Sequence, residues 1–191
     1  MPDPTLIGIL SDTHGQVRRT AAAAEVFRQL GVQAFVHCGD IGGPAVLDQL
    51  AGLRGWLVRG NMDDEDPTLD DYARALGMTV ARTVPLRLEL GGCVVLAFHG
   101  HEAQLGLLLD DSAATAALRA AYHNAKYILY GHRHVPADSQ YGPWRLINPG
   151  ALHRAAVPTV ATLDLAKDVV HFWQVPDVPA PHAAPTPFQL T

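Results

Sequence analysis

Seven side chains able to hold a metal ion stand where short apolar runs end. Asp12 and His14 follow Leu6-Ile7-Gly8-Ile9-Leu10, Asp40 follows the run Val32 to His37, and Asn61 follows Gly55 to Val58. His99 follows Cys93 to Phe98, and His132 with His134 follow Tyr127 to Tyr130. Each run has the length and composition of a buried strand, and a glycine nearby lets the chain turn tightly. A carboxylate and an imidazole two residues apart at a strand's end can leave the sheet together and reach one ion. Taken singly, Asp-x-His is more often an exposed polar loop, and a lone histidine is more often a hydrogen-bonded surface or core group. Five strand ends delivering such groups to one edge are hard to explain as structure alone.

The chemistry open to this set is specific. Two divalent ions roughly 3.5–4 Å apart can grip a phosphoryl group and activate a water between them. Asp40, the central donor, is assigned as the carboxylate shared by both ions. Imidazole, carboxylate and amide oxygen without thiolate suit Mn, Fe, Zn or Ni better than a structural zinc knot. Two ions, two ligating aspartates and a hydroxide leave a net positive charge, which favours an anionic phosphate ester and its more negative transition state.

The elements that must position these groups follow from the spacing. Val17 to Leu30 has helical apolar spacing stopped by Gly31, so Leu6 to His37 reads as strand, helix, strand. Such a unit is a right-handed crossover, which places both strand ends on the same edge of a parallel sheet and makes Asp12 and Asp40 neighbours. Pro44 to Leu53 and Thr68 to Leu76 read as further helices, with an acidic loop Asp64 to Asp66 before the second. Gly91-Gly92 is a hairpin signal. Glu102 to Asn124 is a long helical stretch interrupted near Asp110-Asp111-Ser112. Trp144 to Asn148, Thr159 to Leu163 and Val169 to Val175 read as antiparallel strands. Residues 1–175 therefore form one α/β (α+β) domain with two packed sheets. Pro176 to Thr191, rich in Pro and Ala and without periodicity, reads as a mobile tail.

Composition sets the outer bounds. With 191 residues, 48% hydrophobic and 17% charged, the chain can bury a substantial core. Its net charge of -5 argues against a broad footprint for long nucleic acid. Cys38 and Cys93 lie within apolar runs and read as reduced, buried thiols. No apolar run reaches membrane-span length and the N-terminus has no signal-like pattern, so a soluble cytoplasmic protein is expected.

The motifs Asp-x-His, Gly-Asp, Gly-Asn-x-Asp, His-Gly-His and Gly-His-x-His, in this order, resemble the calcineurin-like metallophosphoesterase superfamily. His37-Cys38-Gly39-Asp40, Arg59-Gly60-Asn61-Met62-Asp63 and Ile147-Asn148-Pro149-Gly150 are similar to its small bacterial and archaeal phosphodiesterase branch, over about Leu6 to Val175. The resemblance implies a four-layer αββα sandwich of two mixed β-sheets flanked by helices. It implies one metal held by Asp12, His14, Asp40 and His134, and a second held by Asp40, Asn61, His99 and His132. Mn²⁺ is the first choice of ion, with Fe, Ni or Zn as alternatives. The implied reaction is in-line attack of a metal-bridging hydroxide on a small or nucleotide-like phosphodiester, with Asp12, Asp40, Asn61 and His99 as catalytic residues.

One position departs from the family. Many members carry His directly after the motif Asn, where it can protonate the leaving group; this chain has Met62, which donates nothing. Asp63 is expected to orient a neighbour by hydrogen bonding. His37 and His101 are candidate acids that fit supporting roles better, and Arg133 is a candidate phosphate contact. Without a dedicated acid, esters with good leaving groups should react fastest. A metal-binding interaction scaffold, as in a retromer subunit that resembles the same branch, a phosphomonoesterase and a nuclease are the alternatives. All seven expected ligands are present, which places catalysis ahead of scaffolding. The sequence leaves the oligomeric state open.

Overall fold

The computed structural model describes residues 3–63, 67–81, 83–110, 112 and 115–190. The expected acidic loop Asp64 to Asp66, and Asp111 in the expected helix break, lie outside these residues. Two sheets carry the fold. The larger holds β1 (Leu6–Leu10), β2 (Ala34–His37), β3 (Arg54–Leu57), β4 (Thr79–Val80), β10 (Thr159–Asp164), β11 (Val169–Gln174) and β12 (Thr186–Phe188), in the order β12-β11-β10-β1-β2-β3-β4. The smaller holds β5 (Leu86–Leu90), β6 (Cys93–Ala97), β7 (Ala125–Leu129), β8 (Ala137–Tyr141) and β9 (Trp144–Asn148), in the order β5-β6-β7-β9-β8. Three helices, α1 (Val17–Gln29), α2 (Pro44–Leu50) and α3 (Pro67–Ala75), belong to the first half, and α4 (Ala103–Leu108) and α5 (Ala116–Ala121) to the second.

The alternation of side chains along each strand makes the four layers. Ile7 and Ile9 of β1 point inward with Ala34, Val36 and Cys38, meeting Val95, Ala97, Tyr127, Leu129 and Ile147 of the other sheet. Leu10 and Phe35 face outward to Ala23, Phe27, Val46 and Leu50 of the helices. On the far side of the smaller sheet, Leu96, Ile128 and Trp144 pack on Leu105 and Leu108 of α4. The result is the four-layer αββα sandwich expected. Truncating an inward residue such as Ile9 to Ala would cost about 2–5 kcal/mol.

Sequence signals set the element ends. Gly31, at φ +72°, closes α1: its amide donates to the Arg28 carbonyl and that of Val32 to Phe27, as in a Schellman cap. Gly8 leaves room for the Phe27 ring, since a Cβ there would lie 2.7 Å from its Cζ. Pro44 occupies the first turn of α2. The long helical stretch after Glu102 does break, into α4 and α5.

Strand ends fall in register. Leu10 of β1 pairs with His37 of β2, and His37 with Leu57 of β3; Ala97 of β6 pairs with Leu129 of β7, and Leu129 with Ile147 of β9. All are parallel pairs, so the loops that follow leave each sheet side by side.

Three features differ from the sequence expectations. β9 joins the smaller sheet, parallel to β7 and antiparallel to β8, so it does not pair with the two later strands. β8, Ala-Asp-Ser-Gln-Tyr, has no apolar alternation because it is a partly exposed edge strand. The segment after Pro176 does not lie wholly outside the domain: β12 pairs antiparallel with β11, with Phe188 opposite Phe172. Its Pro187 suits an edge and hides the strand signal. Arg19 pairs with Asp177, and Gln29 donates to the Ala180 carbonyl, so this segment is also tied to α1.

Candidate metal centre

The hydrogen-bond ladder of the sheets runs on into the loops that bear the predicted ligands. The Asp12 amide donates to the Gly39 carbonyl at 2.9 Å, His14 to Asp40 at 2.9 Å and Gly15 to Ile41 at 3.0 Å; in the other sheet Gly131 donates to His99 at 2.7 Å. These ties hold the backbone in a costly conformation. Asp12, His14, Asp40, His132 and His134 all have φ between 43° and 64°, a region non-glycine residues rarely enter. Strain of this kind concentrates at functional sites, where the surroundings over-determine it.

The same loops bring the donors together. The ligand atoms of Asp12, His14 and His134 lie within 4.8 Å of one another, as do those of Asp12, Asp40 and His99. Asp12 thus belongs to both groups. Asp40 Oδ2 lies 3.4 Å from both His14 Nε2 and His99 Nε2, so it too stands between the two sets of imidazoles. Asn61 Oδ1 is 3.0 Å and His132 Nδ1 3.3 Å from His99 Nε2. All seven predicted ligands therefore converge.

Supporting bonds turn the ligand atoms inward. His99 Nδ1 is 2.8 Å from the Cys38 carbonyl, which can only accept, so Nδ1 carries a proton and Nε2 faces the cluster. Asp40 Oδ1 accepts from the Met62 amide and Asp12 Oδ2 from the His132 amide, turning the other oxygens inward. Asp12 Oδ1 and His14 Nε2 are buried without a hydrogen-bond partner among the described residues. His134 Nε2 approaches that oxygen to 3.1 Å but completes no bond with it. A buried orphan oxygen and an orphan imidazole nitrogen are costly unless something satisfies them, and a divalent cation satisfies both at once.

The electrostatics agree. Burial alone would push the Asp40 carboxyl up, but His99, the Met62 amide and His14 outweigh it and hold it below the ordinary carboxylate range. Burial likewise works against charging His99, yet Asp40, the Cys38 carbonyl and Asp12 raise its imidazole above the usual value. Without metal, the cluster thus draws positive charge inward.

The other candidates take distinct places. His37 is fully buried; Nδ1 accepts from the Gly39 amide and Nε2 lies 3.0 Å from Thr13 Oγ1, whose hydroxyl donates to the Ile41 carbonyl. Burial, with His99 beside it, pulls His37 down to about 3, so it is a neutral brace between two ligand loops. Asp63 accepts from the Ile41, Gly42 and Gly60 amides and stitches the loops after β2 and β3. The His101 ring centroid is 5.3 Å from that of His99, at the exposed rim. Arg133, between His132 and His134, is exposed. Arg59 is ion-paired with Asp70.

One supporting residue escaped the sequence, and a second stood there only as part of the Ile147-Asn148-Pro149-Gly150 motif. Glu102 accepts from the His99 amide at 2.8 Å and from the Gly100 amide at 2.7 Å, anchoring the His-Gly-His turn. Its only signal was an acid directly after that motif. Asn148 donates to the Gly131 carbonyl and accepts from the Gly150 amide, tying the end of β9 to the His132 loop. The chain's glycines complete the packing: a Cβ on Gly60 would lie 2.0 Å from Asp40 Oδ1, and one on Gly131 1.8 Å from Ser11 Oγ.

Comparisons with known proteins point the same way. The family model of the calcineurin-like phosphoesterase superfamily domain matches residues 6–168. Phosphodiesterase MJ0936 of Methanocaldococcus jannaschii is 25% identical over 165 residues, covering 84% of this chain and 93% of that protein. A solved archaeal phosphodiesterase superposes with a TM-score of 0.76 at 22% identity, over 89% of this chain and 99% of its own. Vps29 of Entamoeba histolytica superposes with a TM-score of 0.59 at 18% identity, over 88% and 92%. With its motifs in the family's order and its two sheets matching solved structures, the chain belongs to the calcineurin-like phosphoesterase superfamily.

Proposed function

We propose that this phosphoesterase is a binuclear-metal-dependent phosphodiesterase acting on a small or nucleotide-like diester. The observation that carries the reading is the pair of buried orphan atoms, Asp12 Oδ1 and His14 Nε2, at the meeting point of two donor groups. Asp12, His14, Asp40 and His134 would hold one ion, and Asp40, Asn61, His99 and His132 the other. Bound divalent ions, with Mn²⁺ the first choice, supply Lewis acidity toward the phosphoryl oxygens and make a water acidic enough to attack.

The chain's own residues supply the rest. Cys38 fixes the tautomer of His99, Met62 and His132 amides aim the two aspartates, and Asp63, Glu102 and Asn148 keep the loops in place. Met62 is 64% exposed and stands beside Asn61 with no proton to give. The leaving group must then depart largely unassisted, so activated aryl diesters are the best substrates. No helix among the described residues is long and apolar enough to cross a membrane. The free thiols Cys38 and Cys93 suit a reducing cytoplasm.

The test is hydrolysis of bis-p-nitrophenyl phosphate against p-nitrophenyl phosphate by chelator-stripped protein with Mn²⁺, Ni²⁺, Zn²⁺ or Mg²⁺ restored in turn. Metal-dependent turnover that prefers the diester is the expected result. Bound ions without turnover would sink the enzyme reading and favour a metal-binding scaffold of the same fold.

A further inference from the structure

Between α4 and the C-terminal ends of β7 and β9 lies a cavity of about 200 Å³. Leu105 and Leu109 from α4 and its cap, Leu146 of β9 and Tyr130 line it together with polar groups, and Arg133 is its one charged lining residue among the described residues. Two connections bind it to the metal centre. Gly100, which it shares with the His99 turn, follows a ligand directly, and Arg133 lies between the ligands His132 and His134.

Gly106 is the informative residue. It lies inside α4, where glycine is a poor helix former and lowers stability relative to alanine. Its backbone is not in the left-handed region, and a Cβ built on it meets nothing within 4 Å. Neither conformation nor packing therefore calls for glycine. Gly106 is exposed and lines the cavity, so a side chain there would add bulk at its rim. An enclosed cavity of about 150 Å³ holds benzene, so the volume of this more open one is enough for a single ring.

We propose that this cavity is a ring-binding subsite: it takes an aromatic arm, aryl or nucleobase, of the diester whose phosphate lies at the neighbouring metal centre. The inference rests on the phosphodiesterase reading and names its substrate class. Leucine and tyrosine side chains bury the ring, and the Arg133 cation complements the anionic ester. A diester with two small alkyl arms leaves the cavity empty and gains nothing from it.

The test is calorimetric titration of the full-length, Mn²⁺-loaded protein with phenylphosphonate and with methylphosphonate, neither of which can be hydrolysed. Phenylphosphonate should bind about tenfold or more tightly, the worth of burying one ring. Gly106→Leu, which adds bulk at a lining position, should bring the two affinities within about twofold while leaving methylphosphonate unchanged. Gly106→Ala, a smaller addition that favours the helix, should give an intermediate ratio and guards against a folding defect in the larger variant. Equal binding by the wild type, or a preference that survives Gly106→Leu, overturns the subsite and leaves the phosphodiesterase standing. Failure of both phosphonates to bind overturns the phosphodiesterase reading and the subsite together.

Discussion

Two clusters in this molecule gather charged groups around an aspartate in the left-handed region. One is the metal centre around Asp12 and Asp40. The other surrounds Asp168, φ 56°, in the turn between β10 and β11. There Lys126 lies 2.9 Å from Oδ2, while Arg145 and the Tyr127 hydroxyl donate to Oδ1 at 2.8 and 2.9 Å. Arg145 also grips Asp138 through two bonds, so the cluster ties β7, β8 and β9 to the β10–β11 turn. Every oxygen of Asp168 thus has a partner from the protein. At the candidate metal centre, Asp12 Oδ1 and His14 Nε2 have no hydrogen-bond partner among the described residues. Charge density and backbone strain are common to both places, and the difference is what the protein leaves unsatisfied. A clamp closes on itself, whereas a binding site keeps donors oriented and unspent.

The largest expected contrast is catalytic. Outer partners of metal ligands are worth about 10–100-fold each, so removing the proposed shared ligand in Asp40→Ala should lower metal-dependent hydrolysis of bis-p-nitrophenyl phosphate by at least about a hundredfold. Asp168→Ala should leave the rate within about twofold at a temperature where it is folded. Equal losses in the two variants would erase the distinction between site and clamp.

Metal removal sharpens the comparison on the stability axis. Ions present at about a hundred times their dissociation constant add about 2.7 kcal/mol, or roughly 5–10 °C for a chain of this size. Thermal melts with and without Mn²⁺ should show that shift in the wild type and in Asp168→Asn, and a much smaller one in Asp12→Ala. An unchanged shift in Asp12→Ala would remove the orphan oxygen from the argument.

Glu102 carries a smaller effect. Its carboxylate holds the His99 and Gly100 amides but stands behind the ligands. Glu102→Gln keeps the shape and loses the charge, and should weaken apparent Mn²⁺ affinity by about 10-fold, within the range seen for such supports. The rate at saturating metal should fall less than the affinity does. A rate loss that excess Mn²⁺ cannot restore would instead put Glu102 in the chemistry itself.

How much of this was legible depends on where each signal resides. The parallel half announces itself, because β1, β2 and β6 are mostly apolar runs and β3 and β7 end in one, and chain order there implies a shared edge. The proposed ligands sit immediately after those runs, which is why the sequence could single them out residue by residue. β8 and β12 could not: one is a partly exposed Ala-Asp-Ser-Gln-Tyr edge, the other a three-residue strand containing proline, and both are specified by their neighbours. Glu102 was invisible as a support, and Asn148 was visible only as part of a motif, because their hydrogen bonds depend on which amides and carbonyls the fold brings near. The cavity beside Gly106 was invisible for the same reason, since a glycine in a helical stretch gains meaning only from the space around it.

The smallest effect concerns the clamp. Lys126 first, with Tyr127 and Arg145 adding to it against a modest burial penalty, holds the Asp168 carboxyl down to about 2. A folded-state value below the unfolded one stabilises the protein above the unfolded value, near 4, and that stability is lost as pH falls toward 2. The side chain is 45% exposed, so solvent screens the pairs and their worth is below about 1 kcal/mol. Asparagine tolerates the left-handed conformation at this position, which makes Asp168→Asn a change of charge and not of backbone. Melting curves should therefore show a small deficit for Asp168→Asn at pH 7 that narrows steadily below pH 4 and is the same with or without Mn²⁺. A deficit that grows in the presence of Mn²⁺ would mean that the two clusters are coupled through β7, the strand that carries Lys126 and Tyr127 and leads to His132.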